Sequence, residues 1–121
     1  DLVALAASLP KLDRTLMVQL GEKAAARGQD ARYELMLRLV DVLLLRLARA
    51  GLGQPLTEAA PGELAMLARL SPDENAARAW ASVSANISAR AQHGRAVNLD
   101  PSALVIDMVL AMNEVAAKTA A

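Results

Sequence analysis

Any catalytic or metal-binding role for this chain of 121 residues would have to rest on one histidine, thirteen carboxylates and no cysteine. His93 stands in the run Gln92-His93-Gly94-Arg95, at the predicted end of a helix. An imidazole there ordinarily interacts with the last carbonyls of the helix. A nucleophilic dyad would need a cysteine or a serine at a strand-turn-helix elbow, and the sequence has neither pattern. We therefore favour a surface role for His93 over a general base.

The carboxylates and glycines form no recognisable site either. No Glu-x-x-His spacing occurs, so the acids are best interpreted as solvated helix faces. The run Gly51-Leu52-Gly53 follows a predicted helix, not a strand, and no Lys-Ser/Thr comes after it, so a phosphate-binding loop is not indicated. We expect no enzymatic activity, no metal site and no cofactor.

A nucleic-acid binder would show a basic excess and aromatic residues for base stacking. Here 13 basic residues balance 13 acidic ones, and Tyr33 and Trp80 are the only aromatic side chains. Trp80 is more simply a core anchor than part of a ligand cage. Weak phosphate contact by a few arginines stays open, but specific base recognition is not expected. The arginines concerned are Arg27, Arg32, Arg38, Arg46 and Arg49.

The composition indicates a folded domain outside the membrane. Hydrophobic residues make up 55% of the chain, yet the longest strongly apolar run, Val42 to Leu45, is far too short to span a bilayer. The chain begins on Asp1, directly in an apolar helical pattern and without a signal peptide. We expect a C-terminal fragment of a longer cytoplasmic protein.

Apolar residues recur with helical spacing almost throughout, which predicts one all-α domain over residues 1–121, a bundle of five to six helices. Asp13, Asp30 and Asp100 are expected helix N-caps, with Pro101 at a first helical position. Ser71-Pro72-Asp73-Glu74 is typical of a capping box. Gly28, Gly51 and Gly94 are expected to end helices. The predicted helices cover residues 1–9, 13–27, 30–50, 61–70, about 72–93, and 100–118.

The final helix is apolar on two sides. Leu104, Met108, Ala111, Met112 and Val115 share one face, and Ile106, Val109, Leu110 and Asn113 lie roughly opposite. A small domain can cover one face of a terminal helix, so the second face suggests a partner. Apolar residues also extend around the third helix. The candidate interface residues are Leu35, Leu39, Val42, Ile106, Val109, Leu110 and Asn113.

The order of elements is similar to a known family. A long helix with Tyr33 to Leu39 precedes a short helix, a helix bearing Trp80, and a final helix in the run Asn98-Leu99-Asp100 followed by Leu104, Ile106, Asp107 and Leu110. This arrangement resembles the C-terminal domain of the δ′ subunit of the bacterial DNA polymerase III clamp loader. The pattern extends over nearly the whole chain, and residues 97–110 are its motif-like part.

The resemblance implies a non-catalytic collar domain that packs against the collar domains of the other clamp-loader subunits. It implies a role in loading the sliding clamp for DNA replication, in the cytoplasm, with nucleotide binding located in other regions of the parent protein. One alternative is a ligand- or partner-binding regulatory bundle, which would place an apolar pocket near Trp80. A homodimeric bundle is another, and light scattering on the chain would detect it.

Overall fold

A computed structural model describes residues 2–25, 30–97 and 100–119, and within these ranges the chain forms helices and no strands. The fold is all-α, as the apolar spacing predicts. The six helices are α1 (Leu2–Ser8), α2 (Arg14–Ala25), α3 (Asp30–Gly51), α4 (Glu63–Leu70), α5 (Glu74–Ala96) and α6 (Pro101–Thr119).

The longest helices, α3 and α5, pack along each other, and α6 lies against α2 and α5. The short helices α1 and α4 contact each other and attach to α2 and α3 respectively. Trp80 is fully buried in the single core, and its indole N–H donates a hydrogen bond of 2.9 Å to the Leu70 carbonyl. Trp80 is thus a core anchor whose polar atom is satisfied, as aromatic residues with a polar tip require.

Two of the expected N-caps are confirmed. An Asp13 carboxylate oxygen accepts from the Leu16 N–H at 3.1 Å, and an Asp100 oxygen accepts from the Ser102 N–H at 3.2 Å. The prediction that Ser71 begins a capping box at the start of α5 was wrong. The Ser71 hydroxyl instead donates 2.6 Å to the carbonyl of Leu47 in α3, and Asp73 accepts from the Ala76 N–H at 2.8 Å. A buried hydroxyl must find a partner, so Ser71 connects two helices while the more exposed Asp73 caps α5.

Gly94 does not end α5, which continues to Ala96. A Cβ atom at Gly94 would collide with one methyl group of Leu104, a core residue of α6, and would come within 3.2 Å of the other. The glycine is therefore used for close approach of two helices and not as a stop signal. The predicted stop at Gly28 and the motif residues Asn98 and Leu99 lie outside the described residues.

The second apolar face of α6 is covered in part within the domain, although Leu110 on that face stays 43% exposed. Helix α2 packs closely on this face at Gly21. A Cβ atom added there would come within 2.8 Å of the Ser102 hydroxyl oxygen and 3.6 Å of Ile106 Cγ1. Val109, expected to face a partner, is only 3% exposed. The two apolar faces of α6 thus reflect two neighbouring helices in the same chain.

Candidate partner-binding surface

Four large aliphatic side chains form an exposed row along α3, which we call the α3 stripe. Leu35, Leu39, Val42 and Leu45 are 54%, 49%, 52% and 52% exposed. Their spacing of four, three and three residues places them on one side of the helix. Scattered exposed leucines are ordinary in proteins, but four in a row on one helix are a candidate interface.

The rigidity of the stripe comes from the opposite side of the same helix. Buried residues there hold α3 against the rest of the domain: Tyr33, Val40, Leu43, Leu44 and Leu47. The stripe therefore stands on a helix that is fixed over most of its length and does not have to be ordered when a partner binds.

An apolar groove of about 310 Å³ borders the stripe on the side of α1 and the loop before α4. Leu39 and Val42 form its rim on the stripe, and Leu2, Ala59 and Ala60 face them from the other side. Arg46 and Glu63 also line it. The groove has the size and lining to accept one or two aliphatic side chains of a partner.

Arg46 and Glu63 form a largely buried ion pair beside this groove. Arg46 donates from Nε to Glu63 Oε2 at 2.9 Å and from a terminal nitrogen to Oε1 at 2.6 Å. The same terminal nitrogen donates 2.6 Å to the Thr57 carbonyl, and the Ala59 N–H donates 2.8 Å to Glu63 Oε1. These bonds fix the loop against α3 and shape the wall of the groove.

The pKa of Glu63 lies below its ordinary value of 4.5. The hydrogen bonds from Arg46 are the main cause, burial of the carboxylate opposes them, and the Ala59 N–H and the positive charge of Arg46 add to the lowering. Glu63 is thus a charged structural group whose bonds are already occupied, which does not fit a proton-transfer role.

On its other side the stripe is bordered by charged residues that face α5. Arg38 and Asp41 are both exposed and line a second groove, between α3 and α5. Asp41 accepts a long hydrogen bond of 3.4 Å from the Ser84 hydroxyl. The side of the stripe toward α5 is therefore mixed: Glu34, Arg38 and Asp41 line this groove, and a further groove on the same side is lined by Val42, Leu45 and Ala48 of α3 and Ala81 of α5.

The predicted interface residues separate into two groups. Leu35, Leu39 and Val42 lie together on the stripe, whereas the four on α6 belong to a helix packed on α2 and α5. Of these, Leu110 is 43% exposed and Val109 is buried. Ile106 is partly buried against the core, and Asn113 is half-buried with a buried Oδ1 that accepts no hydrogen bond. Sequence reasoning missed Leu45, although its position three residues after Val42 places it on the same side of α3.

The residues considered for chemistry are not gathered into a site. His93 is exposed near the end of α5, and Trp80 borders none of the grooves described above. Across the described ranges, no three residues among histidine, aspartate and glutamate are grouped so that they could hold a metal ion. No helix in those ranges is long and apolar enough to cross a membrane.

Comparison with known proteins gives no relative on which a function could be based. No protein-family model, characterised protein or solved structure matches this chain significantly.

Proposed function

We propose that this chain is a non-catalytic oligomerisation domain, the collar of a subunit of the bacterial DNA polymerase III clamp loader, and that it supports loading of the sliding clamp in DNA replication. The observation that carries the interaction role is the α3 stripe. Assignment to the clamp loader rests on the resemblance in helix order and in the run from Asn98 to Leu110.

The stripe favours a protein partner on energetic grounds. Each of its four side chains keeps about half of its surface in water. Covering such a surface yields about 25 cal/mol per Å², so a half-exposed leucine contributes on the order of 1 kcal/mol to association. The adjoining groove beside Leu2 and Ala60 offers a recess for a partner side chain, which is where the strongest contacts of an interface are usually found.

The charge distribution favours protein over DNA. The chain has no net charge, and Arg38 beside the stripe is accompanied by Glu34 and Asp41 in the groove toward α5. A surface that mixes both signs around an apolar centre resembles a protein interface, whereas phosphate contact requires a cluster of cations.

Incorporation into a reconstituted clamp loader tests this proposal. The full-length subunit carrying Leu39→Asp and Val42→Asp should enter the complex at least about tenfold less well, because two charges would be buried without partners. Val97→Asp is the matched control, since Val97 is equally exposed but lies beyond the end of α5. Leu110→Asp tests separately whether α6 contributes to incorporation.

The variants must be shown to fold, by circular dichroism and thermal unfolding, before the result is interpreted. Normal incorporation of the folded Leu39→Asp and Val42→Asp protein would refute an interface at the stripe.

The groove of about 310 Å³ supports a second candidate function, binding of a small apolar ligand. Its location differs from the pocket near Trp80 that a regulatory bundle would have. Titration with a small aliphatic alcohol should then shift only the methyl NMR signals of the residues that line the groove, which are Leu2, Leu39, Val42, Leu43, Ala59 and Ala60. Shifts spread over the whole surface would speak against a ligand site.

A further inference from the structure

The segment that connects α3 to α4 lies on the surface of the domain, and we call residues 53–62 the strap. Most of its side chains are exposed. Leu56 is the one large apolar side chain of the strap that packs partly against the core. Burial of apolar surface therefore contributes little to ordering this segment.

Hydrogen bonds to an ion pair hold the strap in place instead. Arg46 on α3 and Glu63 on α4 bond to each other, and each keeps one further bond for the strap. Arg46 donates 2.6 Å to the Thr57 carbonyl, and the Ala59 N–H donates 2.8 Å to Glu63 Oε1. Because both members of the ion pair stand on helices, the pair does not have to break when the strap leaves it.

Both ends of the strap are glycines with a left-handed backbone conformation. The φ angle is 76° at Gly53 and 81° at Gly62. A Cβ atom added at either position would have nothing within 4 Å, so close packing is not the reason for a glycine there. Glycine adopts positive and negative φ at similar cost, and a hinge requires a few such positions. The two glycines therefore allow the strap to turn while α3 and α4 stay in place.

We propose that the strap opens locally, turning about its two terminal glycines and leaving the Arg46–Glu63 pair while the six helices stay folded. Closure orders a largely exposed segment, and the conformational entropy lost offsets much of the gain from a few hydrogen bonds. The open state is therefore a minor state that the domain reaches far more often than it unfolds. This opening does not depend on the proposed role in a clamp loader.

Opening changes the apolar groove of about 310 Å³, because Ala59 and Ala60 of the strap form one of its walls. With this wall withdrawn, Leu39, Val42 and Leu43 of α3 remain as an open apolar face. The closed strap limits the size of a group that can enter the groove, and the open strap removes that limit.

Hydrogen exchange of single amides, followed by NMR on the intact chain, distinguishes local opening from global unfolding. The Ala59 N–H reports the strap, and the Leu44 N–H in the middle of α3 reports the whole domain. After correction for intrinsic rates, Ala59 should exchange at least about 100-fold faster than Leu44, yet at least about tenfold slower than in an unstructured peptide. Its rate should barely rise in dilute urea, since opening exposes little surface.

Equal rates and equal urea dependence for the two amides overturn the proposal, because the strap would then open only when the domain unfolds. An Ala59 amide without any protection also overturns it, because the ion pair would then not hold the strap.

Two substitutions test the ion pair and the core separately. Arg46→Lys keeps the positive charge but loses the planar fork that holds Glu63 and the Thr57 carbonyl together, so Ala59 should exchange about tenfold faster. Ile87→Val weakens the core at a buried position of α5 that does not line the groove. It should speed exchange at Leu44 about fivefold and leave Ala59 unchanged, since local opening does not disturb that core.

An Ala59 rate that rises together with the Leu44 rate in the Ile87→Val protein overturns local opening. An Ala59 rate that does not respond to Arg46→Lys overturns the role of the ion pair.

The Leu64 N–H gives an independent measurement of the same motion, because it donates 3.2 Å to Glu58 of the strap. If the strap moves as one unit, Leu64 should follow Ala59 in both variants. A Leu64 rate that follows Leu44 instead overturns opening of the strap as a unit.

Discussion

At the scale of single residues, the Arg46–Glu63 pair connects the candidate surface to the loop before α4. Glu63 is 4% exposed and accepts three hydrogen bonds, two from Arg46 and one from the Ala59 N–H. Removing one partner of such a pair leaves the other charge without compensation, which is costlier than replacing both. The pair therefore stabilises the loop that forms one wall of the apolar groove.

We expect Glu63→Gln to lower the free energy of unfolding by about 2 kcal/mol at pH 7, because Arg46 would lose its charged acceptor. The pKa of Glu63 is lowered in the folded chain, so its contribution is complete above the unfolded value near 4.5 and is lost as the pH falls through the folded pKa. Urea unfolding of both proteins from pH 7 down to pH 3 should show the difference shrinking below about pH 4.5. A difference independent of pH would contradict the role of the charge.

Single-residue features of this kind were only partly predictable. Asp13 and Asp100 were predicted as caps because capping depends on local spacing. The role of Ser71 was not predicted, because its acceptor is the carbonyl of Leu47, which is distant in sequence. The Arg46–Glu63 pair was not predicted for the same reason, since only folding brings these two residues together.

At the scale of helices, the approach of α5 to α6 is set by a residue that has no side chain. Gly94 lies against Leu104, whose methyl groups occupy the space that a Cβ atom would need. Sequence spacing correctly predicts an all-α bundle of five to six helices, but a glycine near a helix end is ambiguous between a stop signal and a close contact. The same difficulty affected α6, whose two apolar faces predict two neighbours without telling whether these belong to the same chain.

We expect Gly94→Ala to lower the free energy of unfolding by about 1 kcal/mol, since the collision with Leu104 outweighs the gain in helix propensity. In a Leu104→Ala background the collision is absent, and Gly94→Ala should raise the free energy of unfolding by about 0.5 to 1 kcal/mol. Denaturant titrations of the four proteins measure the coupling between the two positions. The absence of a sign change would show that Gly94 is not a packing residue.

At the scale of the whole molecule, α3 and α6 differ in how much of their apolar surface the other helices cover. Helix α6 was the stronger candidate for assembly in the sequence, but α2 and α5 pack against it and leave Leu110 as its one large aliphatic residue that is more than a third exposed. Exposed aliphatic residues occur on several elements, Val18 and Leu110 among them, but the row of four on one helix is on α3. Periodicity gives the positions of apolar residues around a helix, whereas the choice of which face stays in water depends on the packing of all six helices.

If the α3 stripe serves association and not folding, the same substitution should weaken partner binding on one side of α3 and folding stability on the other. Leu39 is about half exposed, and Leu44 in the same helix is 1% exposed. Leu39→Ser should change the free energy of unfolding by less than about 1 kcal/mol, whereas Leu44→Ser should lower it by at least about 3 kcal/mol through a cavity and a buried hydroxyl.

Partner binding should be affected in the reverse order, more by Leu39→Ser than by Leu44→Ser, when only the folded fraction of each protein is counted. Folded Leu39→Ser protein should lose affinity in the incorporation measurement, because it lacks the leucine side chain at the contact. Folded Leu44→Ser protein should bind like the unmodified chain, since its stripe is intact. If Leu39→Ser destabilised the monomer as much as Leu44→Ser does, the stripe would be part of the core of this domain, and its exposure would not mark an interface.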